Sequence, residues 1–286
     1  NPNAFSSRKR SKLQSTQSTN QLNQPNQPNE EMIKMSVLDT SNEIITEKCE
    51  HILRIKINRP QKKNALTIAM YAAMADALLQ ADEDSDIRVI FLQGSADCFT
   101  AGNDLQDFKD FKPNGEIRHA NPFLVAIPRI KKPIVAAVGG IAVGIGTTML
   151  LHCDLVYAGD NAQFRLPFVN LGLCPEAASS FLLPRLIGHQ QASELLLLGE
   201  FFSAAKALEI GLVNAVYPDS EFIDKAFSQA QKLAQQPPAS VRLTKALLKR
   251  SISRDIADTM AEEMKHFTER LNSAECAEAL SAFFER

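Results

Sequence analysis

The stretch "VGGIAVGIGTTMLLHCD", Val138–Asp154, decides how this chain is read. The apolar run "KPIVAAVGG" enters it, the helical segment "GTTMLLH" follows, and the apolar run "CDLVYAGD" leaves it. Strand, helix and strand in so short a span make a crossover unit, the mark of an α/β protein. Upstream, "CFTAGNDLQDF", Cys98–Phe108, repeats the theme. An apolar strand enters, a helix leaves, and the middle is small, flexible and polar. Both stretches offer backbone N–H groups that no large side chain covers. Gly102 lets the chain turn so that the Asn103 amide points outward. Gly144 and Gly146 do the same around Ile145, where a helix begins and the first amides lack internal partners at the positive end of the helix dipole. If the two strand ends are neighbours, the Asn103 and Ile145 amides converge on one oxygen and stabilise charge developing on a carbonyl. Each loop alone reads better as a simple tight turn; the pair shifts the reading toward this chemistry.

Working outward, "HILRIKINRP" places Leu53, Ile55 and Ile57 on one face at a period of two and stops at Asn58-Arg59-Pro60. "NALTIAMYAAMADALLQADEDSD" predicts a helix with Thr67 as its cap and a solvated acidic end. "IRVIFLQG" is a short apolar run closed by Gly94, the pattern of a buried strand. After Pro167 the chain turns helical, with helices expected over 177–186, 190–198, 204–209, 221–235, 239–254 and 256–284, the last broken near Asn272.

Composition changes sharply near residue 40. Residues 1–29 contain no Asp or Glu and are dominated by Ser, Thr, Gln, Asn and Pro. Such a segment buries too little apolar surface to offset its ordering entropy, so residues 1–40 are expected to be a disordered tail. Arg8, Lys9, Arg10 and Lys12 leave two readings open, a plain extension or a transit segment, the second without an amphipathic helix to support it. The expected compartment is cytoplasmic, or an organellar matrix on the transit reading. Five scattered cysteines without a CxxC pair read as reduced thiols. A net charge of −2 gives no global attraction to nucleic acid or acidic membranes, and no apolar run reaches transmembrane length.

Several motifs fail on inspection. Gly139 and Gly144 have P-loop spacing, but Ile145 stands where the lysine belongs. GxGxxG after a strand and the GxSxG elbow are both absent. His152-Cys153-Asp154 sits at a helix–strand junction, where three neighbours cannot all face one metal; core packing is the expectation, and no metal site is assigned.

The segments "NRPQKKNAL", "CFTAGNDL", "KPIVAAVGGIAVGIGTTMLLHCDLVYAGDNAQFRLPFVNLGLCPEAASS" and "LGEFFSAAKALEIGLVNAVYP" occur in the order and spacing of the crotonase (enoyl-CoA hydratase/isomerase) superfamily, which the chain resembles from Glu43 onward. The resemblance implies an α/β fold: a spiral of ββα units over 41–235 and a helical C-terminal trimerisation region over 236–286. It further implies an acyl-CoA thioester substrate, with CoA part of the substrate rather than a separate cofactor, and a homotrimer or a dimer of trimers. Carried across, the two amides that polarise the thioester carbonyl belong to Asn103 and Ile145. Ala101, Gly102, Asp104, Leu105, Gly144 and Phe168 fall at the substrate. Arg59, Lys62 and Lys63 fall at the motif that lies near the CoA nucleotide, while Asp104 also reads as a turn or capping residue.

Hydratases of the superfamily use two glutamates, and their positions are Thr148 and Phe168 here. Glu176, in "LGLCPEAASS", instead matches the single catalytic glutamate of Δ3,Δ2-enoyl-CoA isomerases. A carboxylate at a helix start also stabilises the helix dipole, which is the bland reading of Glu176. Phe123, Leu124, Phe168 and residues 177–181 are candidates for an acyl tunnel. The resemblance thus implies isomerisation of 3-enoyl-CoA in fatty acid degradation by a Glu176 proton shuttle. Hydration, another acyl-CoA reaction of the superfamily, or CoA binding without turnover are the alternatives.

Overall fold

The computed structural model describes residues 43–106 and 121–285. The expected tail, residues 1–40, and the helix expected from the Asn103 loop beyond Gln106 lie outside the described residues. Two sheets form the body. The long sheet has the order β1-β2-β3-β5-β7-β10, built from Ile44–Cys49, Ile52–Ile57, Val89–Gln93, Ile134–Val138, Leu155–Gly159 and Ala215–Tyr217. The short sheet has the order β4-β6-β8-β9, from Cys98–Thr100, Ile141–Val143, Gln163–Arg165 and Phe202–Ser203. Consecutive strands β3/β4, β5/β6 and β7/β8 each put one strand in the long sheet and the next in the short one. Helical segments follow each pair, and the chain thereby winds as a spiral of ββα turns.

Residue chemistry explains the layers. Every residue of β3 is buried, as its unbroken apolar run requires, because parallel β2 and β5 flank it and both faces are covered. Its side chains alternate. Ile90 and Leu92 enter the main core, whereas Val89 and Phe91 face helix α7, Phe222–Ala234. That helix presents Phe222, Ala226, Ala230 and Ala234 at a spacing of four, and the small stripe lets it sit close on the sheet. Helix α1, Ile68–Glu83, is capped as the sequence predicts: the Thr67 hydroxyl accepts from the Met70 amide at 3.3 Å.

Strand β1 pairs antiparallel with β2 through a two-residue turn in which Glu50 and His51 are both left-handed. That turn usually calls for Asn-Gly or Asp-Gly, so nothing in Glu-His announces it. The short-sheet strands, two or three residues each, are too brief for a periodic signal.

Helix α2, Pro122–Ala126, and the one-turn helix α3, Ile145–Thr148, follow the first two pairs. Helices α4, Ser179–Ile187, α5, His189–Leu198, and α6, Ala204–Glu209, lie near their expected places. The C-terminal helices are α8, Pro238–Lys249, α9, Ser253–Leu271, and α10, Ala274–Phe284. The break near Asn272 falls where expected; the other comes at 250–252 rather than at 255. Lys245 on α8 is buried against β5 and β7, its ammonium 2.6 Å from Asp154 and donating to the Lys132 carbonyl at 2.7 Å. No described helix is long and apolar enough to cross a membrane.

Candidate active site

The Asn103 loop is set by backbone pairing. A parallel bridge joins Leu66 to Asn103: the Leu66 amide donates to the Gly102 carbonyl at 2.8 Å and the Asp104 amide to the Leu66 carbonyl at 2.9 Å. In a parallel bridge the central residue's own N–H points to the opposite side. The Asn103 amide therefore faces away from Leu66, and no described residue accepts from it. Gly102 has φ +92°, and a Cβ there would stand 2.7 Å from the Val143 carbonyl oxygen, so the position requires glycine. Buried Asn64 supports the loop from below. Its side-chain amide donates to the Cys98 carbonyl at 2.8 Å and its own carbonyl accepts the Thr100 hydroxyl at 2.6 Å, which in turn accepts from the Gly102 amide at 3.0 Å.

The Ile145 loop lies beside it. β4 and β6 are parallel neighbours with Thr100 opposite Ala142, so Asn103 and Ile145 each stand three residues beyond a paired position. Contact is direct, since a Cβ on Gly146 would meet Thr100 at 2.7 Å. Gly144, at φ +57°, donates to the Arg165 carbonyl and accepts from the amides of Thr147 and Thr148. The Ile145 amide is left without an acceptor among the described residues. Because α3 is one turn long, this individual N–H matters more than any helix dipole, contrary to the emphasis the sequence suggested.

Glu176 is half-buried on the loop before α4. It lines a cavity of about 290 Å³ together with Asn103, Tyr71, Leu124, Met264 and Phe267. Two alanines follow it in left-handed conformation, Ala177 at φ +60° and Ala178 at φ +55°, an arrangement that costs energy without glycine. Two distant side chains hold it. His152 donates through Nε2 to the Ala177 carbonyl at 2.8 Å. Glu263, from α9, accepts the Ala178 amide at 2.6 Å and both the amide and hydroxyl of Ser180 at 3.0 and 2.5 Å. Burial pushes His152 down to about 4, so the ring is neutral. Burial also raises Glu263, although its three donors favour the charged form.

The remaining expected residues divide. Ala101, Leu105 and Gly144 stand on the two loops. Phe168, expected at the substrate and in the acyl tunnel, is buried in the core and does not line this cavity, whereas Leu124 and Ala177 do. Thr148 is completely buried. Arg59 is committed inside the protein, 3.1 Å from Glu43, 2.7 Å from Asp104 and donating to the Ala65 carbonyl at 3.0 Å. Burial works against the Asp104 charge, yet Arg59 and the Gln106 amide hold its carboxyl below the usual range, as suits a turn residue. Lys62 and Lys63 are exposed. Two residues, Tyr71 and Glu263, escaped sequence reasoning, and so did the hold of His152 on Ala177, although its core position is as expected. Tyr71 donates to the Asn103 side-chain oxygen at 2.6 Å, and it, like His152 and Glu263, belongs to no recognisable motif.

Comparisons with known proteins identify the family. The family model for enoyl-CoA hydratase/isomerase matches residues 47–286. The chain is 35% identical over 242 residues to human enoyl-CoA delta isomerase 2, covering 82% of this chain and 61% of that protein, so it spans about three-fifths of that relative's length. It is 32% identical to the 2,3-dehydroadipyl-CoA hydratase of Escherichia coli, covering 86% of this chain and 96% of the relative. Among solved structures, an enoyl-CoA hydratase/isomerase from Pseudoalteromonas atlantica superposes with a TM-score of 0.81 at 42% identity, over 85% of this chain and 97% of that one. OdaA of Pseudomonas aeruginosa gives 0.83 at 44%, over 86% and 100%. With its ββα spiral, paired amide loops and this match over nearly all described residues, the chain belongs to the enoyl-CoA hydratase/isomerase family, the crotonase superfamily.

Proposed function

We propose that the protein is an acyl-CoA isomerase that moves the double bond of a 3-enoyl-CoA to the 2-position. The observation that carries this reading is the cavity in which Glu176 and Asn103 meet, while the hydratase positions, Thr148 and Phe168, bring no carboxylate to it. Glu263 also reaches that wall, but three donors occupy it, and it serves as a clamp.

The thioester oxygen accepts from the Asn103 and Ile145 amides. Glu176 takes a proton from C2, and the electron pair delocalises through the C3–C4 double bond and the carbonyl as a dienolate held by the two amides. The protonated Glu176 returns the proton to C4, the C2–C3 double bond forms, and the carboxylate is regenerated. One base acts twice, and water takes no part. In this reading the exposed Lys62 and Lys63 meet the CoA phosphates, and Arg59 supports their turn through Asp104. The functional assembly in this reading is a homotrimer or a dimer of trimers.

The test is incubation with 3-enoyl-CoA and 2-enoyl-CoA panels, resolved by absorbance and mass. Conjugation without mass change is the expected result. Gain of one water from 2-enoyl-CoA at ordinary enzymatic rates would replace this reading with hydration, an activity borne in name by relatives of similar identity.

A further inference from the structure

A second, larger cavity of about 800 Å³ lies between α8, α9 and the segment after α2. It shares Asn121, Leu124, Met260 and Met264 with the cavity that holds Glu176, so the two adjoin along one wall. That wall is a continuous stripe of α9. Phe267 and Met264 face the first cavity, Met264 and Met260 face both, and Ile256 and Ser253 face only the second. From Met264 to Ser253 the helix rises ~16 Å at 1.5 Å per residue, enough to run beside a medium to long acyl chain.

The charge of the second cavity sets it apart. Arg129, Lys131, Arg242, Lys245, Lys249 and Arg250 line it, and among the described residues no acidic side chain does. Lys245 and Lys249 are engaged by Asp154 and nearby carbonyls. Among the described residues, Arg129, Lys131, Arg242 and Arg250 form no ion pair. Two apolar cavities that share a wall, one holding Glu176 and the other lined by guanidinium groups without an ion pair among the described residues, fit a ligand that is apolar in the middle and anionic at its far end. A plain alkyl tail would gain nothing from those cations.

We infer that this second cavity receives the distal end of the acyl chain, and that the preferred substrates are acyl-CoA esters whose chain ends in a carboxylate. The inference rests on the proposed isomerase reading only for which cavity holds the thioester. The arginines bind the terminal carboxylate as charge-assisted, two-point partners. Chain length is then read as the distance at which that carboxylate reaches Arg129 and Arg242.

The experiment compares matched ladders of 3-enoyl-CoA and ω-carboxy-3-enoyl-CoA esters. It adds equilibrium binding of the corresponding saturated esters, which cannot react. At the best length the ω-carboxy ester should win by at least ~10-fold in kcat/KM and in affinity, the increment of one charge-assisted hydrogen bond. Arg129→Gln combined with Arg242→Gln should abolish that preference and leave the plain esters unchanged. Equal binding and turnover of the two ladders would overturn the inference while leaving isomerisation intact. Absence of isomerisation with the binding preference retained would sink the reaction and keep the cavity's role. If the double variant weakens free CoA and every ester alike, the cations serve the CoA phosphates and the inference fails. It fails equally if the variant alters only the mass of the assembly by light scattering, which would mean that a second copy of the chain covers the cavity.

Discussion

The two sides of the site are built by opposite means. The amide side is made of local backbone: a parallel bridge, adjacent strands in register, and glycines whose missing Cβ atoms let one loop lie on the other. The carboxylate side is a strained pair of left-handed alanines held by side chains from His152 and, much farther along the chain, Glu263. On the proposed reading, the donors that must not move rest on the sheet, through backbone pairing and close glycine contacts. On the same reading, the base that must reach two carbons, Glu176, rests on a loop whose shape depends on two buried titratable groups, His152 and Glu263.

The largest effect should come from removing the base itself. Glu176→Gln keeps size and hydrogen bonding but removes the proton carrier. Isomerisation and C2 deuterium exchange should fall together by ~10²–10⁴, with acyl-CoA affinity nearly constant. A variant with near-normal turnover would reduce Glu176 to a helix-start carboxylate.

Next comes the amide side. Gly102→Ala pushes a Cβ against the Val143 carbonyl and disfavours the φ that aims the Asn103 amide. Displacing one such donor should lower kcat by ~10²–10³. Stability should drop by only ~1–3 kcal/mol. Unchanged kcat would show that the loop's shape does not set catalysis.

The clamp sharpens the contrast. Glu263→Ala leaves the Ala178 and Ser180 amides without their acceptor, at ~1–3 kcal/mol for each buried donor. The loop should relax, and kcat should fall more than KM rises. A melting-temperature loss with kcat intact would assign Glu263 to stability alone.

The last effect, absent at neutral pH, is a pH dependence. With His152 near 4 when folded and about 6.5 when unfolded, the unfolded chain binds more protons between those values. Stability should therefore be complete above about pH 6.5 and fall as pH drops toward 4, by an amount on the order of 3 kcal/mol. His152→Gln, whose amide still donates to Ala177, should flatten that slope in acid-side denaturation curves. An unchanged slope would remove His152 from the account.

The same division explains what is legible in the residues themselves. Gly102, Gly144 and Gly146 punctuate apolar runs, so the amide loops stand out in the sequence, as do buried β3 and the Thr67 cap. The carboxylate loop gives itself away only through resemblance at "CPEAASS", because left-handed alanines leave no compositional trace. The core position of His152 follows from its place at a helix–strand junction, but its acceptor at Ala177 is a tertiary fact. Several C-terminal apolar residues whose number suggests subunit contacts, Met260, Met264 and Phe267 among them, turn inward to wall the cavity, whereas Leu243, Leu247 and Leu248 remain exposed. Helical spacing specifies a face and is silent about what that face meets.

Helix α9 has a consequence for the order in which the protein becomes competent during synthesis. Translation is vectorial, and the amide loops and Glu176 leave the ribosome well before residues 253–271. On the proposed reading, until α9 emerges the spiral has its two amide loops and Glu176 but lacks both the cavity wall of Met260, Met264 and Phe267 and the Glu263 clamp. A nascent chain stalled short of α9 is thus expected to carry a recognisable fold and no catalytic chamber, which makes the arrival of the C-terminal helix the step that switches the molecule on.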